Sequence, residues 1–168
     1  MSGELPAWTR GPLRVPRAVI DAIEAHAQKE YPSESCGFVA GPVQDPPLAD
    51  EVTRATNEAD KYHTLDPARF PRTSATYFKI DELQASRRFE AAEAAGRPIK
   101  VIYHSHCDAG AYFSPEDSAT FSSSGQLMWP CSFIVISVVG GKVLDIKLWV
   151  HRTGTDAFAE GSLEVIEP

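Results

Sequence analysis

Hydrophobic and polar positions alternate along the chain between helical and extended patterns. Residues 16–29 carry apolar side chains at helical spacing, and Pro32 ends the pattern, so this segment is predicted to be an amphipathic helix. A second helix is predicted to begin at the capping-box sequence of residues 81–84 and to stop at Gly96. A third is predicted from Ser114 to about Ser124, where serines and a glycine interrupt it.

Apolar and β-branched runs between these helices predict strands. The runs cover residues 13–15, 33–41, 51–55, 76–80, 99–107, 132–139 and 142–150. The Gly-Gly pair at 140–141 joins the last two and is typical of a tight hairpin. Helices and strands in this order predict a mixed α/β domain, with a sheet flanked by helices.

The ends of the chain lack such periodicity. We therefore expect a loosely held arm at residues 1–12, a single domain at 13–152, and a peripheral acidic tail at 153–168, with His151 exposed beside it. At 168 residues the chain is long enough for one hydrophobic core.

Composition restricts the function classes. The net charge of −7 argues against nucleic acid as a partner, because phosphate binding needs a basic surface. The longest apolar run, residues 133–139, is too short to span a membrane. The three cysteines show no Cys-x-x-Cys spacing, so we expect neither a disulfide framework nor a cysteine zinc ribbon, and a reducing cytoplasm is the expected location.

The candidate chemistry lies in residues 99–117. His104 and His106 alternate on a predicted strand and therefore point to the same face. After seven intervening residues beyond His106, Ser114 is a predicted N-cap and Asp117 opens a helix. Either half alone is a weak signal, since Ser-Pro-Glu-Asp also marks an ordinary helix start. Together, two imidazoles and one carboxylate suit a catalytic zinc with one open position for water.

This combination resembles the JAMM (MPN+) motif of the Mov34/MPN/PAD-1 metallopeptidases. The resemblance implies that His104, His106 and Asp117 are zinc ligands and that Ser114 assists catalysis. It also assigns Glu34, in the sequence Glu-Ser-Cys-Gly, to the water that zinc activates, although the residues alone favour an exposed loop charge. The implied fold is the MPN (JAB1/MPN, cytidine-deaminase-like) fold, covering residues 13–150.

The resemblance further implies one Zn²⁺ with a catalytic water, Glu34 as general base and Ser114 as oxyanion donor. The implied target is a peptide or isopeptide bond after the C-terminal Gly-Gly of a ubiquitin-like protein. A compact chain is similar to bacterial members that process sulfur-carrier proteins of ubiquitin-like fold. Residues 58–75 are a candidate substrate loop by the same resemblance, and surface padding is equally compatible with their sequence.

Other interpretations remain open. A RadC-like metalloprotein of uncertain activity shares the spacing but usually has an upstream helical region for which this chain has no room. A non-catalytic MPN scaffold usually lacks the full ligand set. A cytidine-deaminase-type site fails, because Pro130-Cys131 lacks the second cysteine.

Cys107 stands where many bacterial relatives have proline. It is expected to point away from the histidines if the strand continues, whereas a turn there would bring a thiolate to the metal.

Overall fold

The computed structural model describes residues 4–168. A six-stranded mixed sheet forms its centre, in the order β3-β2-β4-β7-β8-β9. Only the β4–β7 pair is parallel, and the other pairs are antiparallel. The strands of this sheet are β2 (Cys36–Ala40), β3 (Glu51–Ala55), β4 (Ile99–Cys107), β7 (Ser132–Val139), β8 (Lys142–His151) and β9 (Phe158–Gly161).

Helices cover both faces of this sheet, which confirms the predicted mixed α/β class. They are α1 (Arg17–Glu30), α2 (Ala59–Leu65), α3 (Glu82–Ala94) and α4 (Pro115–Phe121). Two short ribbons complete the fold, pairing β1 (Leu13–Pro16) with β10 (Leu163–Ile166) and β5 (Ser122–Ser123) with β6 (Gln126–Leu127). Among the helices of residues 4–168, none is long and apolar enough to cross a membrane.

The central strand β4 is buried along almost its whole length and contributes to two cores. On one face, Val101 and Tyr103 pack with the apolar stripe of α1. On the other face, Ile102 packs in an aromatic cluster that includes Phe78 and Phe121. Because neighbouring residues of a strand alternate between faces, His104 lies on the aromatic side, like Ile102.

The close approach of Tyr103 explains why the last residue of the Glu-Ser-Cys-Gly sequence, Gly37, is a glycine. Gly37 pairs with Tyr103 across β2 and β4. A β-carbon at this position would overlap the Tyr103 ring and the Thr53 carbonyl oxygen. Only glycine therefore allows the aromatic ring to cross β2 this closely.

Lys100 is a fully buried cation on β4. Its Nζ donates hydrogen bonds of 2.7–2.8 Å to the carbonyl oxygens of Pro42, Asp45 and Leu48. The ammonium also lies 5.1 Å from the centre of the Trp8 ring. These three hydrogen bonds hold the loop that follows β2 against the buried ammonium group.

The central segments differ from the sequence predictions in three places. Residues 76–80, predicted as a strand, form none, because the alternating pattern there reflects burial of Phe78 rather than sheet pairing. The connection after Asn57 contains α2, which the pattern missed because only Ala59 of that helix is buried. The helix after Ser114 ends at Phe121, where β5 begins.

The ends of the chain are also more ordered than predicted. The first three residues of the expected arm lie outside the described residues, but Trp8 is buried and its indole N–H donates to the Pro130 carbonyl. The tail is not peripheral, since β9 extends the sheet and β10 pairs with β1. His151 is buried rather than exposed, and its Nε2 lies 2.6 Å from the Thr155 carbonyl oxygen.

Candidate metal centre

Strand pairing on both sides of β4 fixes the two histidines. In register, His104 lies between Cys36 of β2 and Val135 of β7. His104 and His106 are both buried and face the aromatic side of the sheet. Ser105, between them, faces the other way and accepts a hydrogen bond from the Ser35 amide. The predicted same-face placement of the two imidazoles is confirmed.

The N-terminus of α4 positions Asp117. Ser114 Oγ accepts a hydrogen bond from the Asp117 amide, and Asp117 Oδ2 accepts one from the Ser114 amide, both at 3.0 Å. This reciprocal capping box has Pro115 at the first helical position. The capping box turns the Asp117 carboxylate back toward β4 instead of out to solvent.

Three donor atoms converge at this point. Asp117 Oδ2 lies 3.1 Å from His104 Nε2 and 3.2 Å from His106 Nε2. The two Nε2 atoms are themselves 3.2 Å apart. His106 Nδ1 lies 2.9 Å from the Gly110 carbonyl oxygen, which can only accept, so Nδ1 carries a hydrogen and Nε2 faces the other two ligand atoms.

This donor set fits a divalent metal ion. Within residues 4–168, the group of side chains whose ligand atoms all lie within 4.8 Å of one another is His104, His106 and Asp117. Burial raises the pKa of Asp117, but the charges and hydrogen bonds of His104 and then His106 outweigh this and hold the pKa well below its usual range. Two imidazole nitrogens and an ionised carboxylate are the donors that zinc prefers when one position stays open.

An aromatic ring supports His104. The Phe78 ring stacks on the imidazole with centroids 4.4 Å apart and planes 21° from parallel. In the described part of the chain, His104 Nδ1 is buried without a hydrogen-bond partner. The Phe78 ring therefore contributes to the orientation of this imidazole, whose Nε2 faces Asp117 and His106.

Glu34 reaches the same cavity from the segment just before β2. Cys36 pairs with His104 in antiparallel register, which brings Glu34, two residues earlier, beside His106. Glu34 is 6% exposed and lines a cavity of about 130 Å³ together with His106, Ser114 and Asp117. The structure therefore brings together all five residues that the sequence singled out.

The Glu34 carboxyl has a strongly perturbed acidity. Burial, and then the charge of Asp117, raise its pKa to about 9, while Arg72 opposes the shift. A divalent cation at the three donors would lower this pKa, because positive charge favours the carboxylate. Buried carboxyl groups with perturbed pKa values in a cleft are typical of functional sites.

Cys107 lines the same cavity but is not one of the converging donors in the described structure. Burial, then the charges of Glu34 and Asp108, raise the pKa of its thiol to about 12. Because its sulfur lies outside the group of converging ligand atoms, the geometry favours a packing role over coordination.

Two histidines outside the site, His26 and His63, make structural contacts. His26 Nδ1 lies 2.7 Å from the Tyr103 hydroxyl, and His63 Nδ1 lies 2.8 Å from the Phe70 carbonyl oxygen. Sequence reasoning did not single out Arg72 and Tyr77, which line the cavity. No motif marks them: the length of the connection at 58–75 was the one available hint for Arg72, and Tyr77 lay in the predicted strand at 76–80.

A family profile described as prokaryotic homologues of the JAB domain matches residues 16–152. The CysO-cysteine peptidase of Mycobacterium tuberculosis is 29% identical over 99 residues, which cover 59% of this chain. The match spans 58% of the length of that relative.

Solved structures show the same fold. A protein of Desulfitobacterium hafniense superposes with a TM-score of 0.65 at 20% identity, covering 94% of each chain. A JAB1/MPN domain protein of Archaeoglobus fulgidus gives a TM-score of 0.56 at 16% identity, covering 93% of this chain and 99% of its own. At these identities the likeness concerns the fold alone, and it confirms the predicted MPN architecture.

Proposed function

Because the chain belongs to the family of prokaryotic JAB-domain homologues, we propose that it is a zinc metallopeptidase. Its target is the peptide or isopeptide bond after the C-terminal Gly-Gly of a ubiquitin-like protein of the sulfur-carrier type. The observation that carries this proposal is the convergence of His104, His106 and Asp117 within reach of a buried glutamate. The mycobacterial relative, named CysO-cysteine peptidase, supports the peptidase class.

His104 Nε2, His106 Nε2 and Asp117 Oδ2 would hold the zinc ion. When bound, such an ion acts as a Lewis acid and lowers the pKa of a coordinated water from 15.7 to about 7. The capping box and the Gly110 hydrogen bond hold Asp117 and His106 in place before any ion arrives. The chain therefore supplies a prearranged site with little reorganisation on binding.

Glu34 is the proposed general base and acid. Of the carboxyl groups that line the cavity, Glu34 and Asp117 are buried, whereas Glu116 is partly exposed. Glu34 accepts a proton from the attacking water and then delivers that proton to the departing amine. Burial raises the pKa of Glu34, which helps the carboxyl group to hold the proton until it is delivered to the amine. The positive charge of a bound metal ion would favour the carboxylate form, which accepts the proton from water.

Ser114 is the proposed oxyanion donor. Its Oγ accepts the Asp117 amide hydrogen, which leaves the hydroxyl hydrogen free to donate. A donor at this point stabilises the negative charge that develops on the scissile carbonyl oxygen. The cap and the donor are therefore compatible functions of one hydroxyl.

The cavity suits a slender substrate. Arg72, Tyr77 and Tyr112 border it, and its volume of about 130 Å³ is small for bulky side chains. Two glycines present only backbone and would pass where larger residues would collide. The substrate-loop proposal for residues 58–75 is supported at Arg72, which lines the cavity and pairs with Glu116 at 2.8 Å.

Metal analysis and cleavage assays test the proposal together. Wild type, Glu34→Gln and Asp117→Asn are compared on a carrier protein extended beyond its Gly-Gly, with an Ala-Ala version of that carrier as the substrate control. We expect about one zinc per chain in wild type and Glu34→Gln, much less in Asp117→Asn, and cleavage by wild type alone. Removal of general base catalysis should lower kcat by about 10²–10⁴.

Two outcomes would contradict the proposal. Zinc-loaded wild type that cleaves neither carrier would exclude the proposed substrate class. Wild type that binds no zinc while remaining folded would exclude the metallopeptidase and favour the scaffold interpretation.

A further inference from the structure

The general base is held through its backbone. The Glu34 amide donates to the Ser74 carbonyl oxygen at 2.7 Å, and its own carbonyl oxygen accepts a hydrogen bond from Asn57 Nδ2 at 2.9 Å. On the following residue, the Ser35 amide donates to Ser105 Oγ at 2.8 Å. Glu34 precedes β2, so these contacts replace the ladder hydrogen bonds that would fix a residue inside the strand.

Asn57 uses the full hydrogen-bonding capacity of its side chain. Its Nδ2 donates to the carbonyl oxygens of Glu34 and, at 3.0 Å, of Tyr77. Its Oδ1 accepts from the amides of Ala59 at 2.9 Å and Lys79 at 3.0 Å. One amide therefore joins three separate segments, which are the start of β2, the start of α2 and the irregular stretch at Tyr77–Lys79.

The stretch at Tyr77–Lys79 reaches the metal centre from the opposite side. Tyr77 lines the cavity, and Phe78 stacks on His104. Asn57 binds the backbone on both sides of Phe78, since it contacts the Tyr77 carbonyl and the Lys79 amide. This stretch belongs to neither a helix nor a strand, so Asn57 supplies hydrogen bonds that no regular element provides.

We infer that Asn57 is a positioning residue, which fixes the Glu34 carboxyl and the Phe78 ring on two sides of the candidate metal centre at the same time. It touches neither the donors nor the reacting atoms and acts through the backbone of the groups that do. The expected effect of Asn57 on kcat rests on the proposed function. Its expected effect on the geometry of the metal centre rests on the hydrogen bonds alone.

Asn57→Asp is the sharpest variant. It preserves size and the two accepted hydrogen bonds, but it replaces the two donated bonds with repulsion between a carboxylate and two carbonyl oxygens. Asp156→Ala is the matched control, because Asp156 also supports backbone, accepting from the Gly125 amide at 2.8 Å, outside the groups that line the site.

Two measurements are made on both variants and wild type. The first is kcat and KM on the extended carrier, and the second is the visible absorption spectrum of the Co²⁺-substituted protein, which reports coordination geometry without turnover. We expect Asn57→Asp to lower kcat by about tenfold to 100-fold, as a misplacement of about 1 Å does, with KM changed less than about threefold. Its cobalt spectrum should also differ from wild type, whereas Asp156→Ala should match wild type in both.

The inference is overturned if Asn57→Asp keeps the wild-type kcat and cobalt spectrum, or if Asp156→Ala shows the same losses. Should wild type fail to cleave the carrier, the proposed function fails. The cobalt spectrum then decides the role of Asn57 independently, and an unchanged spectrum overturns it.

Discussion

Ser114 caps α4 and is the proposed oxyanion donor, and substitutions at this residue can separate the two roles. The hydroxyl oxygen caps α4 by accepting the Asp117 amide hydrogen at 3.0 Å. The hydroxyl hydrogen is the proposed donor to the oxyanion. Substitution with alanine removes both, substitution with glycine mainly removes the donor, and substitution with threonine keeps both.

The expected magnitudes differ for the two duties. Loss of a serine cap to alanine costs about 1 kcal/mol of unfolding free energy, whereas glycine at a cap costs only a few tenths. Loss of one oxyanion donor lowers kcat by about 10²–10³, or roughly 3–4 kcal/mol of transition-state stabilisation. Ser114→Ala and Ser114→Gly should therefore lose similar activity but differ in stability.

Urea unfolding and steady-state kinetics on the three variants provide the assay. Ser114→Thr should keep stability near wild type and most of kcat, since its hydroxyl can cap and donate. Zinc content is measured in parallel, because the cap also positions Asp117. A Ser114→Gly protein with full kcat, or a loss of kcat that merely follows lost zinc, would refute the reasoning for a catalytic hydroxyl.

Three further substitutions test other parts of the structure. Lys100→Met removes three hydrogen bonds to the loop after β2 and leaves the Leu48 carbonyl without a donor, whereas the Pro42 and Asp45 carbonyls still accept backbone amides, so urea unfolding should show a loss of about 1–3 kcal/mol. Exposed Lys142→Met should change stability by less than about 0.5 kcal/mol, and a similar small effect at Lys100 would contradict the argument. Phe78→Leu retains apolar volume but removes the flat face on His104, so chelator competition should show weaker zinc binding, and unchanged affinity would exclude the stacking role. Burial lowers the pKa of His26, so neutral His26 contributes stability that is complete above pH about 6.5 and is lost as pH falls. The difference in unfolding free energy between wild type and His26→Gln should therefore become smaller from pH 7 to pH 5. A difference that grows over this range would contradict a lowered His26 pKa.

The sequence predicted the parts of the site that depend on local geometry. Strand alternation was sufficient to place His104 and His106 on one face, and the capping residues were sufficient to predict that α4 starts after Ser114. Both signals operate within a few residues, where backbone geometry alone decides direction. The catalytic and metal-binding roles of these residues remain predictions.

Contacts between distant segments could not be predicted from the residues. Glu34 and His106 are separated by 72 positions in the sequence. Before the β2–β4 register was seen, only the family resemblance indicated that they lie close together. Asn57 carries no motif, because its role lies in backbone groups that any residue could offer. The strand predicted at 76–80 was wrong for a related reason, since alternation records burial and does not reveal whether a neighbouring strand is available.

The parallel ribbon of β1 and β10 has a consequence for the order of folding. It pairs Leu13 with Leu163, so its two partners are separated by nearly the whole described chain. During synthesis this ribbon cannot close until residue 166 has left the ribosome, whereas every donor of the metal centre has been made by residue 117. Contacts this distant in sequence carry a high loop-closure entropy and form slowly. A nascent chain therefore contains all the donor groups of the candidate metal centre before the strand next to α1 has gained its partner.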